Sequence, residues 1–111
     1  MASVSNLAID QGTNVSITIN VTDDTGSARS LAGYTGRSQM RRSYYTNSNT
    51  AFTVSIDNPA EGEVVLSLTA GQSSALKAGR YVYDLELVKT ADQTVERIVE
   101  GIVTVYPEAT R

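Results

Sequence analysis

The acidic side chains are the groups in this chain most able to do chemistry, and their spacing decides what that chemistry would be. Asp84 and Glu86 stand two residues apart, and Glu96 and Glu100 four apart. On a strand either separation puts both carboxylates on one side, as glycosidase-like acid and base work requires. The same spacing suits cross-strand pairing of Asp84 and Glu86 with Arg97 or another base on a solvated face, and that reading is favoured. Asp23-Asp24-Thr25-Gly26 sets two acids beside a glycine, which hints at calcium. An EF-type loop needs ligands continuing at alternate positions and a bidentate glutamate, whereas this chain goes on as Ser27-Ala28-Arg29-Ser30, so a tight turn is the better reading. Ser73 and Ser74 near Lys77 are too generic to mark a Ser-Lys pair. The chain has no His and no Cys, so the commonest general base and the usual transition-metal ligands are missing. Neither an enzyme nor a cofactor or metal site is expected.

The elements that must carry these residues are strands. At 111 residues the chain has the size of one domain, spanning 1–111, with one modest core. Its 41% hydrophobic fraction is mostly Val, Ile, Leu and Tyr over a Thr/Ser background, a mixture that favours sheet over helix. The net charge of −3 comes from scattered acids, which gives no electrostatic reason to seek nucleic acid or anionic lipid. The first residues lack a basic n-region followed by a long apolar stretch, and no run of apolar residues is long enough to span a bilayer. Neither a signal peptide nor a membrane span is expected.

Period-2 alternation recurs along the chain. After a short apolar patch at Leu7-Ala8-Ile9, it places Val15, Ile17, Ile19 and Val21 on one side, then Phe52, Val54 and Ile56, then Val64, Leu66 and Leu68. Leu31 reads as a core plug, and residues 33–41 as a polar strand whose glycines suggest a bulge or a close backbone neighbour. Thr69 with Gln72 has capping-box spacing and announces a single helical turn near residues 70–76. A glycine turn at Gly79 then feeds Tyr81, Tyr83, Leu85 and Leu87 on one parity against Val82, Asp84 and Glu86 on the other. The last strand, residues 95–106, holds apolar residues on both parities: Val95, Val99, Val103 and Val105 on one, Ile98, Ile102 and Tyr106 on the other. Either a bulge at Gly101 shifts the inward set, or the second face meets a neighbouring chain. About seven strands with turn chemistry at each boundary imply an all-β fold, an antiparallel immunoglobulin-like β-sandwich. In that fold a tyrosine near the start of the penultimate strand returns its hydroxyl to the backbone at the preceding corner, and Tyr81 stands where that residue would be.

The most distinctive surface candidate is residues 41–50, with Arg41, Arg42, Tyr44, Tyr45 and Asn47 among small hydroxyl and amide residues. This resembles the composition of recognition loops. A hairpin loop with solvent-facing arginines and one tyrosine lying on the sheet is the favoured reading over a dedicated contact site; one short basic cluster in an acidic domain is weak support for nucleic-acid binding.

Six stretches together resemble a known group: Gln11-Gly12-Thr13 before an alternating strand, Asp23-Asp24-Thr25-Gly26, Leu31-Ala32-Gly33-Tyr34-Thr35, Leu68-Thr69-Ala70, Ala78-Gly79-Arg80-Tyr81-Val82-Tyr83-Asp84-Leu85 and Glu100-Gly101-Ile102-Val103-Thr104-Val105. The chain resembles the small immunoglobulin-like proteins of tailed bacteriophages, including the N-terminal domain of baseplate upper proteins. It is especially similar to short cyanophage virion proteins that end in Val-Thr-Val-x-Pro-Glu-x-Thr-Arg, matched from Val103 to Arg111. The resemblance implies a virion structural protein of the capsid, neck, tail or baseplate, docking on other phage structural proteins and repeated by the particle's symmetry. The expected contacts are the 41–50 loop, Ile98, Ile102 and Tyr106 on the last strand, and Arg111 in the tail. The alternative is a host-surface or carbohydrate adhesion module that binds through the same loop.

Overall fold

In the computed structural model, which describes residues 3–110, the alternating segments become strands in two facing sheets. In chain order they are β1 (Ser3–Val4), β2 (Leu7–Asp10), β3 (Val15–Asn20), β4 (Tyr34–Arg41), β5 (Thr50–Ala51), β6 (Thr53–Asn58), β7 (Glu63–Leu68), β8 (Gly79–Lys89) and β9 (Val95–Tyr106). One sheet runs β1-β9-β8-β4-β5 with β2 also on β9, and the other runs β3-β7-β6. A 3-10 turn at Pro59–Glu61 links β6 to β7, and the single helix, α1 (Ala70–Ser74), links β7 to β8. The Thr69 hydroxyl accepts from the Gln72 N–H at 3.1 Å while the Gln72 side chain accepts from the Thr69 N–H at 2.8 Å, so the capping box forms as its spacing predicts.

This is an immunoglobulin-like β-sandwich, with β8 at the centre of the larger sheet. Tyr81, Tyr83, Leu85 and Leu87 turn inward from β8 and are buried, and they meet Val64, Leu66 and Leu68 from β7 across the core. Leu31 and Leu76 are buried with them, and Phe52 packs edge-on against Tyr83 with ring centroids 6.4 Å apart. The Tyr81 hydroxyl donates to the Lys77 carbonyl at 2.7 Å and ties β8 to the corner that precedes it. Tyr81→Phe removes that donor and strands a carbonyl, so it should cost about 1–1.5 kcal/mol, or roughly 5 °C in Tm. An unchanged melting temperature would remove the corner from the list of features that hold the fold.

Three features depart from the sequence expectation. The sandwich is not wholly antiparallel, because β1 and β2 pair parallel with β9, with Ser3 opposite Val99 and Leu7 opposite Val103. The apolar patch Leu7-Ala8-Ile9 is therefore a sheet strand, and Ile9 is buried. Second, Gly36 lies in unbroken register opposite Leu87, so it marks no bulge; its missing side chain makes room for Val54. Third, the bulge in β9 falls at Ile98 rather than Gly101. Leu85 pairs with Val99 but Glu86 pairs with Arg97, which leaves Ile98 as the extra residue. Both Ile98 and Val99 are consequently buried, and Ile98 is a core residue, not a contact residue.

Gly101 has another role: it sits opposite Tyr83, and the carbonyl oxygen of Ser5 lies 2.3 Å from where a Cβ would be. At this point the N-terminal segment is clasped by its backbone. The Ser5 N–H donates to Glu100 O at 3.0 Å, the Ile102 N–H to Asn6 Oδ1 at 3.0 Å, and the buried Tyr83 hydroxyl to Ser5 O.

Candidate binding surfaces

The outward residues of the larger sheet form rows across the strands, because residues in register share a face. One row is charged: Arg97, Glu86 and Arg37. The next holds Val4, Glu100, Asp84 and Gln39, and the one after it sets Ile102 against Val82 and Arg41. Beyond that come Thr104 with Arg80, and then Tyr106 beside Asp10. Val4, Ile102 and Tyr106 are all exposed.

The carboxylates are paired as the favoured reading of their spacing anticipates. Glu86 accepts from Arg37 Nε at 2.7 Å, and Asp84 lies 3.5 Å from Arg97 Nε. Glu96 and Glu100 do not share a side, because the bulge at Ile98 falls between them. Glu100 stands opposite Asp84 on the outer face, whereas Glu96 stands opposite inward-facing Leu87 and receives both Arg29 terminal nitrogens at 2.8 and 2.9 Å. This bidentate bond holds the Glu96 carboxyl below its ordinary value, and the stability it contributes is present above that value and lost as pH falls through the lowered one. Asp84 shifts the other way. Burial raises its pKa first and the nearby Glu86 charge second, against the opposing pull of Arg97.

A raised carboxyl binds its proton more tightly in the folded state, so stability falls as pH rises from the ordinary value of 3.8 through the raised one. At neutral pH the Asp84 charge is thus a net cost. Asp84→Asn should raise Tm at pH 7 by a few degrees, on the order of 1 kcal/mol or less, with the gain vanishing below about pH 3.5 where both states of the native chain are protonated. A gain that persists at low pH, or a loss at pH 7, would contradict this assignment.

The loop between β4 and β5 divides into a fixed base and an open tip. Arg41 donates to Thr46 O at 2.7 Å and to Gln39 Oε1 at 2.9 Å, which closes the loop on itself. Arg42 reaches across to the corner before β8: it donates to Ala78 O at 2.9 Å and Arg80 O at 3.3 Å, and its guanidinium lies 4.5 Å from the centre of the Tyr81 ring. Gly79 leaves the space for it, since a Cβ there would stand 2.4 Å from Arg42 Nη1. Both arginines, expected as contact residues, instead hold the loop. Tyr44 and Tyr45 are the residues presented, 55% and 96% exposed, with Asn47 exposed beside them. Sequence composition selects the loop but cannot tell its anchors from its tip, because Arg41 folds back on the loop itself and Arg42 on carbonyls of a distant corner.

Of the other expected contacts, Ile102 and Tyr106 lie on the outer face and Arg111 is outside the described residues. Val4 and Val82 join them unanticipated; the alternation of β8 put Val82 on the outer parity, and the register with Ile102 makes the pair. A concavity of about 500 Å3 curls around the outer edge of β4, with Arg37, Tyr44 and Asp84 on one wall and Gly36, Phe52 and Val54 on the other. Among the described residues no group of three or more acids could hold a metal ion.

No family model matches this chain, and no curated protein matches it. Solved structures do share its fold. InlP from Listeria monocytogenes superposes with a TM-score of 0.54 at 17% identity over 95% of this chain, which spans 28% of the InlP chain. NKp44, described as an NK cell receptor and a triggering partner in natural cytotoxicity, has a TM-score of 0.49 at 13% identity, covering 96% of this chain and 99% of that one. At such identity the likeness to InlP is one of fold.

Proposed function

We propose that the protein is a non-enzymatic docking subunit, and that the assembly it serves is a bacteriophage virion, where it would occupy a capsid, neck, tail or baseplate position. The observation that carries the docking reading is the outer row of Ile102 and Val82, with Ile102 40% exposed on a sheet face where Asp84 and Glu86 are held by arginines. Apolar side chains placed in register on a sheet face offer contact area, whereas the Asp84 and Glu86 carboxylates beside them are engaged by arginines. The virion assignment rests on the sequence resemblance. Ile102→Glu tests both together. As a surface change it should leave Tm within about 2 °C, yet tagged chain carrying it should be lost from particles that retain the wild-type chain through gradient purification. Equal retention of the two, or absence of wild-type chain from particles, would defeat the proposal.

The exposed Tyr44 and Tyr45 favour a second reading, adhesion to a carbohydrate or a cell-surface protein, since arginine anchors at the loop base pre-order the tip. Glycan-array binding abolished by Tyr44→Ala with Tyr45→Ala would favour it over docking.

A further inference from the structure

The edge of the larger sheet opposite β9 is only partly covered. β5 pairs with β4 through two residues, Ala51 opposite Gln39 and Thr50 opposite Met40. At Phe52, whose N–H donates to Ser38 O at 3.0 Å, the chain leaves this sheet and enters the other as β6. Upstream of that crossing β4 has β8 on one side and, among the described residues, no hydrogen-bonded strand on the other, although β6 passes close by with Val54 beside Gly36. In an antiparallel pair the N–H and C=O of one residue point the same way and successive residues alternate. Because Ser38 O points toward the β5 side, Arg37 faces β8 while Gly36 faces the open side. The Ser38 N–H, both backbone groups of Gly36 and the Tyr34 carbonyl therefore form a row with no backbone partner among the described residues.

Sheet edges left open in this way are usually blunted by proline, a bulge or an inward charge. Residues 34–38 contain no proline and keep unbroken register with β8, and the one charge there, Arg37, points outward. The concavity already described opens at this place. On its inner wall Gly36 presents no side chain, and Val54 and Phe52 lie beyond it, with Val54 Cγ1 2.6 Å from where a Gly36 Cβ would be. On its outer wall Arg37 spends only its Nε on Glu86; the side chain is 61% exposed, and its terminal nitrogens have no protein partner among the described residues.

We propose that this open edge of β4 is a strand-addition site for an extended segment of a partner protein, with an apolar residue opposite Gly36 and an acidic one next to it, opposite Arg37. The row of backbone groups specifies an extended polypeptide rather than a helix or a glycan. The two walls specify its side chains, since residues directly opposite share a face and adjacent ones alternate. The added strand runs antiparallel to β4, in line with β5, and its apolar residue covers Val54 and Phe52. This edge lies across the sheet from Ile102, and the inference stands whether or not the Ile102 face docks.

The test uses the full chain, isotope-labelled for NMR, and the capped peptide Glu-Val-Thr-Val-Ser, whose glutamate lies opposite Arg37 and whose valines lie opposite Gly36 and Tyr34, clear of Phe52. Before addition the Gly36 and Ser38 amides should exchange with solvent faster than those of Arg37 and Gln39, which face β8. On addition they should shift and slow by at least about 10-fold. Methylating the valine amide nitrogens should weaken binding at least about 10-fold, whereas methylating the glutamate amide, which points away from the edge, should leave it within about 2-fold. Replacing the glutamate by lysine should weaken binding, and Arg37→Glu should restore it. Equal sensitivity to methylation at both positions, shifts centred on Ile102 or Tyr45, or no binding at about 1 mM peptide would each overturn the proposal.

Discussion

Gly101→Ala is expected to lower Tm by about 10–15 °C, a loss on the order of 2–4 kcal/mol, and to free the first strand from the sheet. The new methyl group would stand 2.3 Å from Ser5 O and 2.9 Å from Ser5 C, which are backbone atoms and cannot rotate away. Relief requires the Ser3–Asn6 segment to lift, which breaks three hydrogen bonds at once: Ser5 N–H to Glu100 O, Ile102 N–H to Asn6 Oδ1, and the Tyr83 hydroxyl to Ser5 O. The last is the costliest, because Tyr83 is 1% exposed and its hydroxyl would be left in the core without an acceptor. Burial already raises the Tyr83 pKa, in keeping with a site that disfavours charge. Hydrogen exchange supplies the second readout. The Ser5 and Ile102 amides should lose protection in the variant, while the amide protection of the β2–β9 pairing, anchored by buried Ile9, should largely remain. A Tm within 2 °C of wild type with those amides still protected would show that the clasp accommodates a methyl group and that its close backbone approach is not required.

The same clasp marks the boundary of what the sequence discloses. Alternation in residues 79–89 predicts β8, its inward set and the Tyr81 corner, because each depends on near neighbours: the corner bond joins residues four apart. The N-terminal strands escape that reading, since Ser3–Val4 and Leu7–Asp10 are too short for a period and their partner lies 96 residues away. The apolar residues on both parities of β9 do announce a bulge, but its position is set by pairing with β8. Leu85 takes Val99 and Glu86 takes Arg97, and no local signal distinguishes Ile98 from Gly101 as the extra residue. Gly101 attracts the assignment because glycine so often marks bulges, whereas here it is required by the backbone that crosses it. The candidate surfaces follow the same division. Tyr44, Tyr45, Ile102 and Tyr106 are legible as candidates for contact, and the structure exposes all four. Arg41 and Arg42 are not legible as anchors, because most of their hydrogen bonds go to backbone carbonyls, which every residue has.

Gly62→Ala is expected to be the most damaging single methyl group in the protein, at about 3–5 kcal/mol, and Gly26→Ala shows why by contrast. Both glycines have positive φ, +70° at Gly62 and +84° at Gly26, so alanine meets a comparable backbone penalty of about 1 kcal/mol at either site. Their surroundings differ. Nothing lies within 4 Å of a Cβ at Gly26, at the tip of the turn closed by Asp23 and Thr25. At Gly62 a Cβ would stand 2.5 Å from Val21 O and 2.8 Å from Arg29 O. Those oxygens belong to a backbone knot: the Val21 N–H donates to Gly62 O at 2.8 Å, and the Arg29 N–H donates to Val21 O at 2.9 Å. A methyl group there must part the two chains, expose buried Val21 and pull Arg29 from its bidentate bond to Glu96. Chemical denaturation of the two variants under one condition separates the causes: Gly26→Ala measures the conformational cost, and the excess at Gly62 measures the packing. Equal losses at the two sites would mean that the 20–30 loop moves aside freely, and the Arg29–Glu96 pair could then not be a fixed link between that loop and β9.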